Sequence, residues 1–241
     1  MTQNLDRLNA LPLRDDLRGR APYGAPQLDV AVALNTNENT HPVPADVHAA
    51  IVQEVTEAAR SLNRYPDREF TALREELAAY LGHGLGPGNL WAANGSNEIL
   101  QQILQAFGGP GRTLLSFVPT YSMYPLLASG THTGFVAGER AADFGLSAES
   151  AAEQVRRHRP DVVFLCSPNN PTGTALPFEV IEAMLEAAPR ALVVEHCAAP
   201  SVDGPPEARR GRSNAAAPTT IGVEKLVPDP LTYTWRRLKG S

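Results

Sequence analysis

The chain has 241 residues, of which 43% are hydrophobic and 20% charged, and its formal net charge is −5. These proportions exclude a disordered or fibrous polymer and suit one large domain, or a large domain with part of another. The negative balance, with no basic stripe before the tail, argues against a nucleic-acid partner, and no apolar run is long enough to span a bilayer.

Residues 1–40 form an extended arm containing Pro22-Tyr23-Gly24 and Asn37-Glu38-Asn39. Helical periodicity runs from Pro44 to Leu62, with Val47, Ile51, Val52 and Val55 on one side. Arg64-Tyr65-Pro66-Asp67 breaks it. A second helix follows from about Asp67 to Leu81, with Asp67 as its N-cap and Phe70, Leu73, Leu77 and Tyr80 on one face. The glycines of Gly82 to Gly88 follow a helix and include Pro87, so they lack the strand-turn-helix context of a dinucleotide fingerprint and are a helix end plus loop.

From Leu90 the chain alternates as βα units do. Asn94-Gly95-Ser96 opens a helix over Asn97–Phe107, and a strand follows at Arg112–Val118. A helix around Tyr121–Ala128, a strand at Thr131–Val136 and a helix at Ser147–Arg157 come next. The apolar run ending Asp161–Leu165 is a buried parallel strand, followed by Cys166-Ser167-Pro168-Asn169-Asn170-Pro171-Thr172-Gly173. Its prolines and terminal glycine fix a tight loop. A helix at Pro177–Ala187 feeds the strand Ala191–Glu195. Beyond it the texture changes to Ala, Pro, Arg, Gly and Ser, and only residues 221–227 and 231–238 regain apolar character; the tail 196–241 is expected to be poorly structured.

Two cysteines, Cys166 and Cys197, make no disulfide framework and fit a reducing compartment. The start over residues 1–20 is polar and charged, with no apolar core of a secretion signal, so a cytoplasmic location is expected. The six histidines are scattered without metal-ligand spacing, and no metal is expected. Lysine usage is the odd number: the lysines are Lys225 and Lys239, and no others.

Several stretches fit one site. Ligands of open α/β sheets bind outside the carboxyl ends of the strands. The helix start at Asn94-Gly95-Ser96-Asn97-Glu98 offers backbone amides to a phosphate, simple N-capping by Asn94 or Ser96 being the competing reading. Tyr121, after the strand Arg112–Val118, could stack on a flat ligand or be a half-buried core residue. Asn170 in the proline-rich loop can both donate and accept hydrogen bonds.

In this order and at these separations the stretches resemble histidinol-phosphate aminotransferase, a fold-type I pyridoxal-phosphate (PLP) family, over roughly Arg14 to Val194. The resemblance implies an aspartate-aminotransferase-like α/β large domain: three layers, α/β/α, around a mostly parallel sheet, incomplete at its C-terminus. Residues 41–195 would be the partial PLP-binding domain, and the small C-terminal domain would be absent. The cofactor phosphate would be held by amides matching Ser96 and Asn97, its ring stacked by Tyr121 and its phenolic oxygen bonded by Asn170. Tyr65 would reach the cofactor of the partner in a homodimer, and Tyr23 would lie near the substrate phosphate. Such an enzyme moves an amino group between histidinol phosphate and 2-oxoglutarate in histidine biosynthesis, using PLP as an electron sink after a lysine Schiff base is exchanged for the substrate amine.

This sequence departs from the family in its last third. Where the family's strand ends in Asp-Glu-Ala-Tyr, Val193-Val194 runs into Glu195-His196-Cys197-Ala198, and Glu195 is set against the pyridine nitrogen with an extra methylene. Lys225 stands at about the distance of the Schiff-base lysine with none of the surrounding motif; an exposed tail lysine is the competing reading. The change after Val194 points to a truncated or frame-shifted reading of a longer gene. An inactive chain is therefore one expectation. Another fold-type I enzyme, such as an amino-acid phosphate decarboxylase, and a non-catalytic remnant are the alternatives.

Overall fold

The computed structural model describes residues 10–20, 24, 26, 28–32, 35–36, 41–82, 84–196, 226–228 and 235–237. They belong to two compact units, Met1–Ser61 and Leu62–Ser241. Tyr23, the Asn37-Glu38-Asn39 stretch, Cys197 and Lys225 lie outside the described residues.

In the first unit, helix α1 spans Ala45–Ala58. Pro44 precedes it with extended geometry (φ −54°, ψ 146°), and a fixed proline φ next to a helix start leaves no N–H to satisfy. The apolar side of α1, formed by Val47, Ile51, Val52 and Val55, is exposed.

The second unit opens with α2, Thr71–Leu81. It starts later than the periodicity predicts. The Asp67 carboxylate accepts hydrogen bonds from the Glu69 and Thr71 amides at 3.0 and 2.7 Å, closing a turn ahead of the helix. Phe70 enters it in the left-handed region at φ 51°. Those bonds hold the Asp67 carboxyl below the usual aspartate pKa. The core elements follow: α3 (Gly95–Phe107), β1 (Thr113–Val118), α4 (Met123–Gly130), β2 (Gly134–Glu139), α5 (Ala148–His158), β3 (Val162–Cys166), α6 (Phe178–Ala187) and β4 (Leu192–His196). The strand predicted at Thr131–Val136 begins at Gly134 because its threonines finish α4 instead. The Thr131 hydroxyl donates to the carbonyls of Leu127 and Ala128, and the Thr133 amide donates to Ala128.

The four strands are parallel in the order β2-β1-β3-β4. Side chains alternate between sheet faces, and here each face has its own core. Leu114, Val162, Phe164, Cys166 and Val194 pack on one side with Leu100 and Leu104 of α3 and Tyr124 and Leu127 of α4. Leu115, Phe117, Val163 and Leu165 pack on the other with Val155 of α5 and Val180 and Met184 of α6. The result is the expected three-layer α/β/α arrangement, and β3, apolar on both faces, is buried along its whole length. The edge of β2 is partly covered by Gln154 of α5, which accepts from the Glu139 amide at 2.7 Å and donates to its carbonyl at 3.0 Å.

Six residues of the tail beyond His196 are described, in two short strands. Strands β5 (Leu226–Pro228) and β6 (Trp235–Arg237) pair antiparallel, Leu226 beside Arg237 and Pro228 beside Trp235. They coincide with the apolar stretches of the tail.

Phe164, fully buried on β3 with its ring 5.2 Å from that of Tyr124, is the natural probe of this core. Phe164→Ala is expected to cost about 3–5 kcal/mol through lost burial and the cavity left behind, read as a lower midpoint in urea unfolding; a loss under about 1 kcal/mol would contradict the layer packing described.

Candidate active site

The sheet turns its carboxyl edge toward the start of α3, and three chain segments meet there. The first is that helix start. Gly95 takes φ 77°, a conformation glycine adopts without strain, and the helix begins on it. The Asn94 side chain caps nothing, and the Asn94 amide donates to the Glu98 carboxylate at 2.7 Å. First-turn amides have no acceptor within the helix, so those of Ser96 and Asn97 are presented outward. The capping reading of Asn94 and Ser96 is thereby set aside: Ser96 spends its hydroxyl on a different partner.

That partner is His196, the last residue of β4. Its Nε2 lies 3.1 Å from Ser96 Oγ and its Nδ1 3.0 Å from the Tyr124 hydroxyl. A neutral imidazole offers one donor and one acceptor, and hydroxyls can answer either. The ring is buried, at 2% exposure, and burial pushes its pKa down to about 4. Burial likewise drives the Tyr124 hydroxyl above its ordinary value, so it stays a neutral phenol.

The third segment follows β1. Tyr121 donates from its hydroxyl to Asn97 Oδ1 at 3.2 Å and sets its ring 5.1 Å from the His196 ring at a 46° tilt. Tyr124 meets Tyr121 edge to face at 5.5 Å. Tyr124 is core, and Tyr121 is half-buried, packed against that core with its hydroxyl toward the helix start, as the half-buried reading has it.

The loop after β3 is held by Asn169 rather than Asn170. Asn169 is buried, donates to the Pro119 carbonyl at 3.0 Å and to Thr172 Oγ1 at 2.7 Å, and accepts from Arg140 at 3.2 Å. Asn170 bonds through its backbone, its amide donating to Cys166 Sγ at 3.3 Å, which leaves its half-buried side chain for other use. Ser96, Asn97 and Tyr121 are brought together by direct contacts; Asn170 lies at the same strand edge. Tyr65 is fully exposed in the turn before α2.

Sequence reasoning sets Glu195 against a pyridine nitrogen, whereas strand parity argues for the opposite face of the sheet. Glu195 pairs in register with Leu165, whose side chain belongs to the α5–α6 face, while Val194 and His196 share the α3–α4 face with Phe164 and Cys166. The site face of β4 ends in a neutral imidazole, not a carboxylate. The signal was available, because residues two apart on a strand share a face and Val194 is core.

A cavity of about 550 Å³ lies elsewhere, at the amino-terminal edge of the sheet, lined by residues including Gln101, Leu104, Gly108, Pro110, Leu126 and Thr131. It has no titratable lining and none of the residues above. Among the described residues no group of three or more His, Cys, Asp or Glu could hold a metal, and no helix is long and apolar enough to cross a membrane.

The family model for aminotransferase class I and II matches residues 29–195. The chain belongs to that family. Among curated relatives of this aminotransferase chain, histidinol-phosphate aminotransferase of Paenarthrobacter aurescens is 68% identical over 196 residues, 80% of this chain and 53% of the relative. The Thermobifida fusca protein of the same name is 61% identical over 78% of this chain and 51% of its own length. A shorter Mycolicibacterium smegmatis relative, also so named, is 56% identical over 73% of this chain and 83% of itself. The chain thus spans about half the length of the first two. Among solved structures, histidinol-phosphate aminotransferase of Sinorhizobium meliloti in complex with pyridoxal-5'-phosphate superposes with a TM-score of 0.54 at 26% identity, covering 61% of this chain and 40% of that one. A Thermus thermophilus aspartate aminotransferase variant reaches 0.61 at 23% identity, over 77% and 50%, and supports the fold.

The buried imidazole gives this aminotransferase domain a pH signature. An unfolded histidine binds a proton below about 6.5, whereas His196 resists it until about 4. Stability from this group is therefore full above the unfolded value and lost as pH falls toward the folded one, a contribution on the order of 3 kcal/mol. Melting temperature should drop between pH 7 and pH 4.5 more for the natural chain than for His196→Gln. Parallel melting curves for the two would refute the assignment.

Proposed function

We propose that this chain carries the cofactor-phosphate end of a PLP-dependent histidinol-phosphate:2-oxoglutarate aminotransferase site, acting in the cytoplasm as a homodimer in histidine biosynthesis. The observation that carries the reading is the meeting of the outward amides of Ser96 and Asn97 with the Tyr121 phenol at the carboxyl edge of a parallel sheet. The names of the relatives support the substrate assignment, and the Sinorhizobium meliloti complex supports PLP as the cofactor.

The residues fit the group at one end only. Ser96 and Asn97 would hold the phosphate, Tyr121 would orient the ring, and the uncommitted side chain of Asn170 would bond its phenolic oxygen. Tyr65, being exposed, is free to reach the cofactor of a second subunit, and Tyr23 would meet the substrate phosphate. PLP, when bound to such a site, serves as an electron sink for the substrate carbon. Toward the end of β4 the fit is poorer, because strand parity sets His196, not Glu195, on the face of Ser96 and Tyr124. With an imidazole in place of a carboxylate among the described residues there, turnover is expected far below that of a full-length relative. Lys225 is kept as the candidate Schiff-base residue.

Two measurements test this. In equilibrium dialysis the chain should retain PLP in preference to unphosphorylated pyridoxal, and Ser96→Asp, which adds a negative charge at the helix start, should abolish the preference. Equal retention of the two compounds by the natural chain would refute the phosphate seat. Borohydride treatment with PLP, followed by peptide mass mapping, should give little adduct at Lys225; a stoichiometric adduct there, with transamination of histidinol phosphate, would show the low-turnover expectation to be wrong.

A further inference from the structure

We infer that His196 is an internal occupant of the ring seat, its imidazole filling the space and taking the contacts that a flat heteroaromatic ligand would use while the phosphate seat beside it stays open. The inference rests on the reading of Ser96 and Asn97 given above. A planar ligand anchored by its phosphate at the start of α3 and stacked on Tyr121 has to lie between these two groups and the end of β4. That space is where the His196 ring stands.

Three features fix it there. Its centroid is 5.1 Å from that of Tyr121, the ring proposed above to orient the cofactor. Both nitrogens are hydrogen-bonded, to Ser96 Oγ at 3.1 Å and the Tyr124 hydroxyl at 3.0 Å, so the imidazole gives up two bonds if it leaves. Its backbone is held as well, paired beside Cys166 in the β3–β4 ladder with the His196 carbonyl accepting from the Ser167 amide at 3.0 Å. Opening the seat therefore requires side-chain rotation away from Tyr121 and leaves the buried Tyr124 hydroxyl and the half-buried Ser96 hydroxyl without this partner. The amides of Ser96 and Asn97 take no part in these bonds, which separates the two halves of the site. The natural chain should therefore hold PLP through its phosphate alone, more weakly than a chain whose ring seat is open.

The test uses the full chain, its His196→Ala variant and equilibrium dialysis, with circular dichroism to verify folding. His196→Ala is expected to bind PLP at least about tenfold more tightly than the natural chain, with affinity for inorganic phosphate unchanged. Adding free imidazole at pH 8 should refill the gap and reverse the gain in the variant, with no effect on the natural chain. If His196→Ala does not fold, His196→Asn, smaller and still able to hydrogen-bond, carries the same expectation. Equal PLP affinity in natural and variant chains, with phosphate still bound by both, would overturn the inference and leave the phosphate seat intact. Failure of every form to bind either PLP or phosphate would overturn the proposed function and this inference together.

Discussion

The hydrogen-bonded line from Ser96 through His196 to Tyr124 joins three segments that sequence keeps far apart, and the shape of the site depends on it. Ser96 and His196 are separated by 100 residues, Tyr124 and His196 by 72. The line exists because parallel strands end at one edge and α3 begins above that edge. In a buried setting such bonds are costly to leave unmade, so the imidazole, the two hydroxyls and the Tyr121 ring hold one arrangement.

Side-chain parity decides which chemistry that arrangement can support. On β4 the residues facing α3 and α4 are Val194 and His196, and the acid beside them points to the opposite layer. A shift of one position in the strand would exchange an imidazole for a carboxylate at the site. The domain therefore keeps the fold of its family and presents a neutral imidazole, rather than a carboxylate, at the site end of β4.

Much of the fold was legible in sequence, for identifiable reasons. The apolar run of β3 and the periodic helices around it are long enough to be unambiguous, the Ser96 helix start is marked by Asn94-Gly95-Ser96 ahead of a periodic run, and Tyr121 by its place after a strand. What escaped depended on local competition for hydrogen bonds. Asp67 closes a turn instead of capping α2, and Thr131 and Thr133, residues with strand preference, terminate α4 by bonding its last carbonyls. Asn169 rather than Asn170 braces the proline-rich loop because only the former reaches Pro119, Thr172 and Arg140. Face parity on β4 argues for His196 rather than Glu195 at the site, and a lone histidine carries no spacing pattern that would mark it in sequence.

The start of α3, where Asn94 makes no side-chain cap, is the proposed anion seat of the domain. The start of α5 is the internal comparison, since Ser147 accepts from the Ser150 amide at 3.2 Å and caps it. Titrating inorganic phosphate into the isotope-labelled full chain and following amide resonances tests this directly. Saturable shifts at Ser96 and Asn97, with little change at Glu149 and Ser150, are the expected result. Shifts of equal size at both helix starts, or none at Ser96 and Asn97, would contradict it.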